Sequence, residues 1–521
     1  MSFRFPGALC QGIPFSGTII DRESDLSSVY DYIVVGGGVS GLVVANRLTE
    51  DSRTTVLVIE AGKIDSYSQE IQYPGYAALA GVDNSWPITS LPIPGLNNRT
   101  AGVAAARVLG GGSAINGMAF DRGSPGDYDL WGEIIDDDSW SWAGLLSYFK
   151  KKYGISFDMD VHGTSGPVQS SYPPFISTTG KAYIAALRQL HIPIQADGTA
   201  NAIGGFGNPS SLDPVLRERS CARTTYHELS SNRPKYLTES LVTRLTRDLS
   251  GTVIAPNATT KWVLARREII LAAGTLHTPR ILQLSGIGSS SVLNQLMTAE
   301  MGVLYEKTRT GPWTVSTDNT FAFLTADHLN VSYGTFEAAQ QPAAQYLRPE
   351  IDSTIINGFE SIKMATLRLF GGVASLQKPL SRDSVRAAST DPHMMPLVEY
   401  RTFSNPLDLQ IMAQAVRFNT KILPQTDAFK EIGAFVQTPE TGLSDIKLAG
   451  VIRASADPSG TCAMLKLEDG GCVDNRLRLY GSYGRVRIVD ASIFPVIPSS
   501  HLQSTVYAVA EKAADLIRRR F

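Results

Sequence analysis

The chain is 521 residues long, too long for one ordinary core, and its 43% hydrophobic content can bury two or more structural units. Its 47 Lys and Arg face 49 Asp and Glu with no basic stripe, which argues against nucleic acid or an anionic membrane as main partner and favours a small neutral substrate. No apolar run approaches the ~18 to 20 residues needed to span a bilayer, and the opening MSFRFPGALC lacks the apolar segment of a signal peptide, so neither membrane nor address is read from it.

The segment from Asp31, DYIVVGGGVSGLVVANRLTEDSRTTVLVIEAG, joins an apolar run, a glycine turn, a helix and a second run ending in an acid. Tyr32 to Val35 read as a buried parallel strand. Gly36, Gly38 and Gly41 stand at GxGxxG spacing, where the chain turns tightly, approaches a pyrophosphate and packs a helix on a strand. The helix N-terminus then faces the phosphates. Thr55 to Ile59 form the next strand, and Glu60 follows where a carboxylate can accept from adenosine ribose hydroxyls. The combination predicts dinucleotide binding.

Lys63 to Thr100 is loop-rich in Pro, Gly and Asn, and the cluster ARVLGGGSAINGM from Ala106 to Met118 must approach something closely. Trp131 to Tyr153 reads as helical, and a further helix is expected near Gly180 to Leu190 among loops and short strands. Arg267 to Ala273 is a buried strand, closed by Gly274 ahead of the helix-like TPRILQLSGIG. Residues 290 to 450 suit a separate sheet-based unit, and Val486 to Val489 a short strand before a final helix from about Ser504 to Arg519. The four cysteines, Cys10, Cys221, Cys462 and Cys472, contain no CxxC pair; no metal site is expected, and one disulfide remains open.

Four separated blocks, the Glu60 unit, ARVLGGGSAINGMAFDRGSPGDYD, GTLHTPRILQLSGIG, and DPSGTCAM with DASIFPVIPSSHLQSTVYAVAEKAADLI, make the chain resemble the glucose-methanol-choline family of FAD-dependent oxidoreductases over nearly its whole length. The resemblance implies an α/β Rossmann-type FAD-binding domain (1–155, 215–290 and 450–521) and a discontinuous, α+β, antiparallel-sheet substrate-binding domain (156–214 and 291–449). It implies FAD contacts from Gly36, Gly38, Val39, Ser40, Gly41, Glu60, Ala61, Arg107, Gly111, Gly112, Ser113, Asn116, Gly117 and Met118. Val242, Asp490, Ala491, Gln503 and Thr505 complete that set, with Val242 packing on adenine or simply in the core.

What the resemblance implies chemically is oxidation of an alcohol to an aldehyde or ketone, a base taking the hydroxyl proton while hydride goes to flavin N5. Relatives place a histidine and then a second His or Asn at the reactive edge. Here the second is His501, but the first position is Asp457, in ADPSGTC. An aspartate titrates near ~3.9 against ~6.5 for histidine. Asp457 is therefore the weaker base unless burial raises it. Beside an anionic reduced flavin at ~5 Å it would also repel by roughly 3 kcal/mol at an effective dielectric near ~20. His501 is thus expected to be the base, with Asp457 orienting or polarising it.

The alternative on the same fold is a lyase or isomerase in which FAD is structural, and a further one is a flavin carrier. A nicotinamide-dependent monooxygenase is disfavoured, since no second GxGxxG unit exists. The family's PGVGxNLxDH segment has no counterpart in Ser289 to Asp318, and Leu249 to Leu264 is compressed. Non-covalent FAD is expected, because Arg99 to Ala106 offers no His or Cys. Oxygen or another acceptor takes the electrons, and a monomer or homodimer is expected, with secondary metabolism one setting. The triplets at Asn98, Asn257 and Asn330 are N-glycosylation acceptors if the protein is secreted, the compartment slightly favoured.

Overall fold

The computed structural model describes residues 18–20, 23–77, 79–151, 153–154, 160–195, 197–198, 204–226, 234–246, 248–256, 260–289, 292–293, 320–324, 367–370, 373–434 and 458–519. Asp457, Cys10, Asn257, Asn330 and most of 289–318 lie outside these residues.

The apolar runs of the N-terminal third assemble as strands because each is buried on both faces. Val29–Val35 pairs in parallel with Val56–Ile59 on one side and with Lys261–Leu271 on the other, so that Ile33 stands opposite both Leu57 and Ile269. Short parallel strands Thr18–Ile19 and Lys235–Leu237 extend the first edge. The long strand Lys261–Leu271 changes partner along its length. Its first half pairs antiparallel with Gly251–Pro256, which leads to Ser240–Leu245, and its second half takes up Val486–Ile488 in parallel. A buried ion pair reinforces that last junction, with Arg487 Nε donating to Glu268 Oε2.

Helix Val39–Leu48 packs between this sheet and the terminal helix Gln503–Arg518, whose Tyr507, Ala508, Val509, Ala510, Ala513, Ala514 and Ile517 are all fully buried. Burial that nearly encircles a helix needs polar residues paired. Glu511 is: Arg47 and Lys151 donate to one carboxylate oxygen, and the Tyr226 hydroxyl to the other at 2.8 Å.

The helical reading of Trp131 to Tyr153 resolves into two helices. Pro125–Ile135 starts earlier, on a Ser124–Asp127 capping box, and ends where Asp136 turns left-handed with φ 56°. Trp142–Phe149 begins afresh on a Ser141 cap that accepts from the Gly144 N–H. The acidic run Asp136-Asp137-Asp138 supplies turn and cap chemistry that aromatic spacing alone did not reveal. The other helices fall at Thr178–Gln189 and Gly274–Leu284.

A second, five-stranded sheet runs Val373–Leu376, Leu367–Phe370, Thr320–Leu324, Gly204–Gly207, Ile194–Gln195, antiparallel except at the last pair. Helices Thr178–Gln189, Pro406–Arg417 and Asp427–Glu431 share a separate apolar cluster around Tyr183, Leu187, Leu407, Ile411 and Phe429. The 290 to 450 region is therefore sheet and helix together. Among the described residues no helix is long and apolar enough to cross a membrane.

Candidate active site

The glycine turn is made by contact as well as by conformation. A Cβ on Gly41 would lie 1.9 Å from the Gly36 carbonyl oxygen, so only glycine lets the helix start this close to the strand. The second glycine cluster docks on the first. The Gly110 N–H donates to the Gly37 carbonyl at 2.8 Å, and Gly111, at φ +56°, would place a Cβ 2.6 Å from the Gly38 Cα.

Glu60 stands at the end of the second strand, 8% exposed, with the Gly37 N–H donating to Oε2 at 2.7 Å and the Gly62 N–H donating to Oε1 at 2.6 Å. Burial pushes its carboxyl upward, against these two bonds. Each oxygen keeps a second lone pair, which a ribose hydroxyl can use. Arg107 donates from Nε to the Ala61 carbonyl and lays its guanidinium 4.7 Å above the Trp86 ring.

The residues Ser113 to Met118 form a braced turn. Ser113 Oγ donates to the Gly110 carbonyl and accepts from the Ala222 N–H. Asn116 Nδ2 donates to Gln503 Oε1 on the terminal helix, and Asn116 Oδ1 accepts from the Met118 N–H and from Arg219 Nη1 at 2.8 Å. Arg219 was not singled out by the sequence. It is 2% exposed, donates also to the Ile71 and Ser113 carbonyls, and is pushed down to about 10 by burial.

Asp490 uses its carboxylate within the protein: Oδ2 accepts from the Gly274 N–H and the Thr278 hydroxyl, and Oδ1 from the Ser492 N–H. It therefore fastens the strand Val486–Ile488 to the start of the helix Gly274–Leu284, and burial raises its carboxyl. The Ala491 carbonyl accepts from the Gly460 N–H. Thr505 is fully buried, its hydroxyl 2.8 Å from the Tyr128 hydroxyl, and Val242 is 5% exposed within the main core.

His501 lies at the head of the terminal helix, its side chain 23% exposed. Both its main-chain N–H, at 3.1 Å, and its ring Nδ1, at 3.2 Å, meet Oδ1 of the fully buried Asp121. Asp121 lay inside the block AFDRGSPGDYD, but nothing local marks it as the partner of a residue so distant in sequence. Two residues before His501, Ser499 is held by Asp127 of the same block, which accepts its N–H at 3.0 Å.

These residues fit an FAD. An added Cβ on Gly112 or Gly117 would meet nothing within 4 Å, so both backbones face open space. Ser40 Oγ is buried with no hydrogen-bond partner among the described residues, a group that a bound phosphate would satisfy.

Family models for GMC oxidoreductases match residues 30–300 and 379–510. Dehydrogenase xptC of Emericella nidulans is 31% identical over 611 residues, covering 98% of this chain and 96% of that protein. The GMC oxidoreductase family protein Mala s 12 of Malassezia sympodialis is 29% identical, covering 94% and 92%. Among solved structures, an FAD-dependent oxidoreductase from Chaetomium thermophilum superposes with a TM-score of 0.83 at 30% identity, covering 94% of this chain and 99% of that one. A fungal aryl-alcohol oxidase gives 0.81 at 27%, covering 95% and 100%. An alignment of 611 residues against a chain of 521 means that the xptC relative carries segments this chain lacks. On the family models, the coverage and the fold, the chain belongs to the GMC oxidoreductase family and is an FAD-dependent oxidase or dehydrogenase.

Proposed function

We propose that the protein oxidises a small or medium alcohol to an aldehyde or ketone, with His501 as the base. The single observation that carries this is the imidazole at the head of the terminal helix, partly exposed on one side and gripped by a buried carboxylate on the other. FAD, when bound, supplies the acceptor for the carbinol hydrogen and its electron pair. Asn116, clamped between Arg219 and Gln503, would hold the ring system, and Glu60 the adenosine ribose. His501 takes the hydroxyl proton, a general-base role in which imidazole is the side chain most often used. Asp457, in the place where relatives carry their first histidine, orients or polarises the site.

The aryl-alcohol oxidase among the similar structures supports an alcohol as substrate class. The two sheets support a division into a flavin domain (1–155, 215–290, 450–521) and a substrate domain (156–214, 291–449), because the larger sheet draws its strands from the first set and the smaller from the second. A destination outside the cytosol is supported by the Cys462–Cys472 disulfide and by the exposed, left-handed Asn98 of the Asn-Arg-Thr triplet.

Anaerobic mixing of the holoenzyme with a panel of primary and secondary alcohols tests the reading. Bleaching of the flavin absorbance is expected with the wild type and not with His501→Ala. Turnover of a substrate without bleaching would identify a lyase or isomerase instead, and bleaching that survives in His501→Ala would remove the base assignment.

A further inference from the structure

We propose that Asp121 is a positioning residue that fixes the tautomer of His501, holding the proton on Nδ1 so that Nε2 presents its lone pair to the substrate hydroxyl. The inference rests on the reading of His501 as the base. It starts from one oxygen with two contacts. Asp121 Oδ1 accepts from the main-chain N–H of His501 at 3.1 Å, which can only donate, and the same oxygen lies 3.2 Å from the ring Nδ1. A carboxylate oxygen has only lone pairs to offer, which makes Nδ1 the donor, and a neutral imidazole with Nδ1–H has its acceptor at Nε2.

The surroundings hold this arrangement in place. Asp121 is fully buried, so its carboxylate does not swing into solvent. The next residue, Arg122, donates its guanidinium to the Val161 carbonyl at 2.8 Å and meets His162 Nδ1 at 3.0 Å. Asp127, six residues on, accepts from the Ser499 N–H and is itself approached by Lys378. Two carboxylates of one block thus pin the Pro498–His501 segment at two points, and the one behind His501 also meets the ring.

The proton step balances simply. The substrate O–H bond breaks, an Nε2–H bond forms, and the positive charge of the resulting imidazolium faces the Asp121 carboxylate through Nδ1–H. Without that partner the ring would be free to take the Nε2–H form, which has no lone pair to offer at the substrate side.

Two measurements test this. In the holoenzyme labelled with ¹⁵N-histidine, the resonance lost in His501→Asn identifies the ring, and the neutral form is expected to carry its proton on Nδ1; a proton on Nε2 overturns the proposal without any Asp121 variant. By anaerobic stopped flow, Asp121→Asn is expected to slow flavin reduction at saturating alcohol roughly 10²-fold while the half-saturating concentration holds, with Asp121→Glu recovering part of the rate. A folded, FAD-replete Asp121→Asn that reduces flavin at the wild-type rate overturns the proposal. If His501→Ala is inactive in the same experiment, the base reading stands and only the positioning role falls; if His501→Ala is fully active, the base reading itself has failed.

Discussion

Replacing Arg219 with methionine tests whether the turn presenting Asn116 is built by long-range bracing. The guanidinium donates to the Ile71 carbonyl at 2.8 Å, the Ser113 carbonyl at 3.2 Å and Asn116 Oδ1 at 2.8 Å, and it is 2% exposed. Three bonds from a charged donor, at roughly 1.5 to 3 kcal/mol each, sum to about 6 kcal/mol. Against this stands the cost of burying the charge: burial holds the group at about 10 rather than 12.5, a difference of about 3 kcal/mol that methionine avoids. The net loss is about 3 kcal/mol. If it falls on the conformation that receives FAD, affinity drops by about a hundredfold. Titration of apoprotein with FAD, followed by quenching of flavin fluorescence, measures it, and an Arg219→Met/Asn116→Ala cycle should show a coupling of about 1 to 3 kcal/mol. Wild-type affinity in Arg219→Met with a zero coupling would refute the reasoning.

Glu60→Gln exchanges a carboxylate that accepts from two backbone N–H groups for an amide that can accept through one oxygen only; a loss of about 2 kcal/mol in FAD affinity is expected in the same titration. Lys512 is buried over the Trp140 ring, and burial lowers it from 10.5 to about 8. A depressed folded value means stability that is present above 10.5 and lost as pH falls through about 8, so denaturant unfolding should show the wild type gaining about 2 kcal/mol on Lys512→Met's flatter profile between those limits. Cys472→Val opens the Cys462–Cys472 loop of sequence separation 10, and chain entropy places the loss at about 3 kcal/mol, read as a lower thermal midpoint that the wild type reproduces under reductant.

What was legible in the sequence was what is local. Gly36, Gly38, Gly41 and Glu60 were readable because a turn, a close approach and a strand end each demand a residue type within a few positions, and Val29–Val35, Val56–Ile59 and the buried end of Lys261–Leu271 because apolar runs mark burial on both faces, whereas the alternating first half of that last strand was not read. The resemblance carried His501, Asn116 and Gln503 to their places without saying what holds them. Elsewhere the signal was coarse: aromatic and leucine spacing marked Trp131 to Tyr153 as helical without showing that Asp136 ends one helix and Ser141 begins another. The pairing of Asn116 with Arg219 depends on how distant segments fold back, and that of Cys462 with Cys472 on the turn between them, neither of which composition encodes.

The same distinction bears on the chemistry. A substitution is visible at once in a sequence, so Asp457 stood out as a histidine lost, and it suggested a site with weakened base chemistry. The partner of the remaining histidine is invisible there, because Asp121 sits in a block whose other residues serve the glycine turn and the capping box of Pro125–Ile135. Once the chain is folded, the buried carboxylate is found behind position 501. Position 501, read in the sequence as the remaining imidazole, therefore has in three dimensions a buried carboxylate against its ring Nδ1, and the proposed base role rests on that contact.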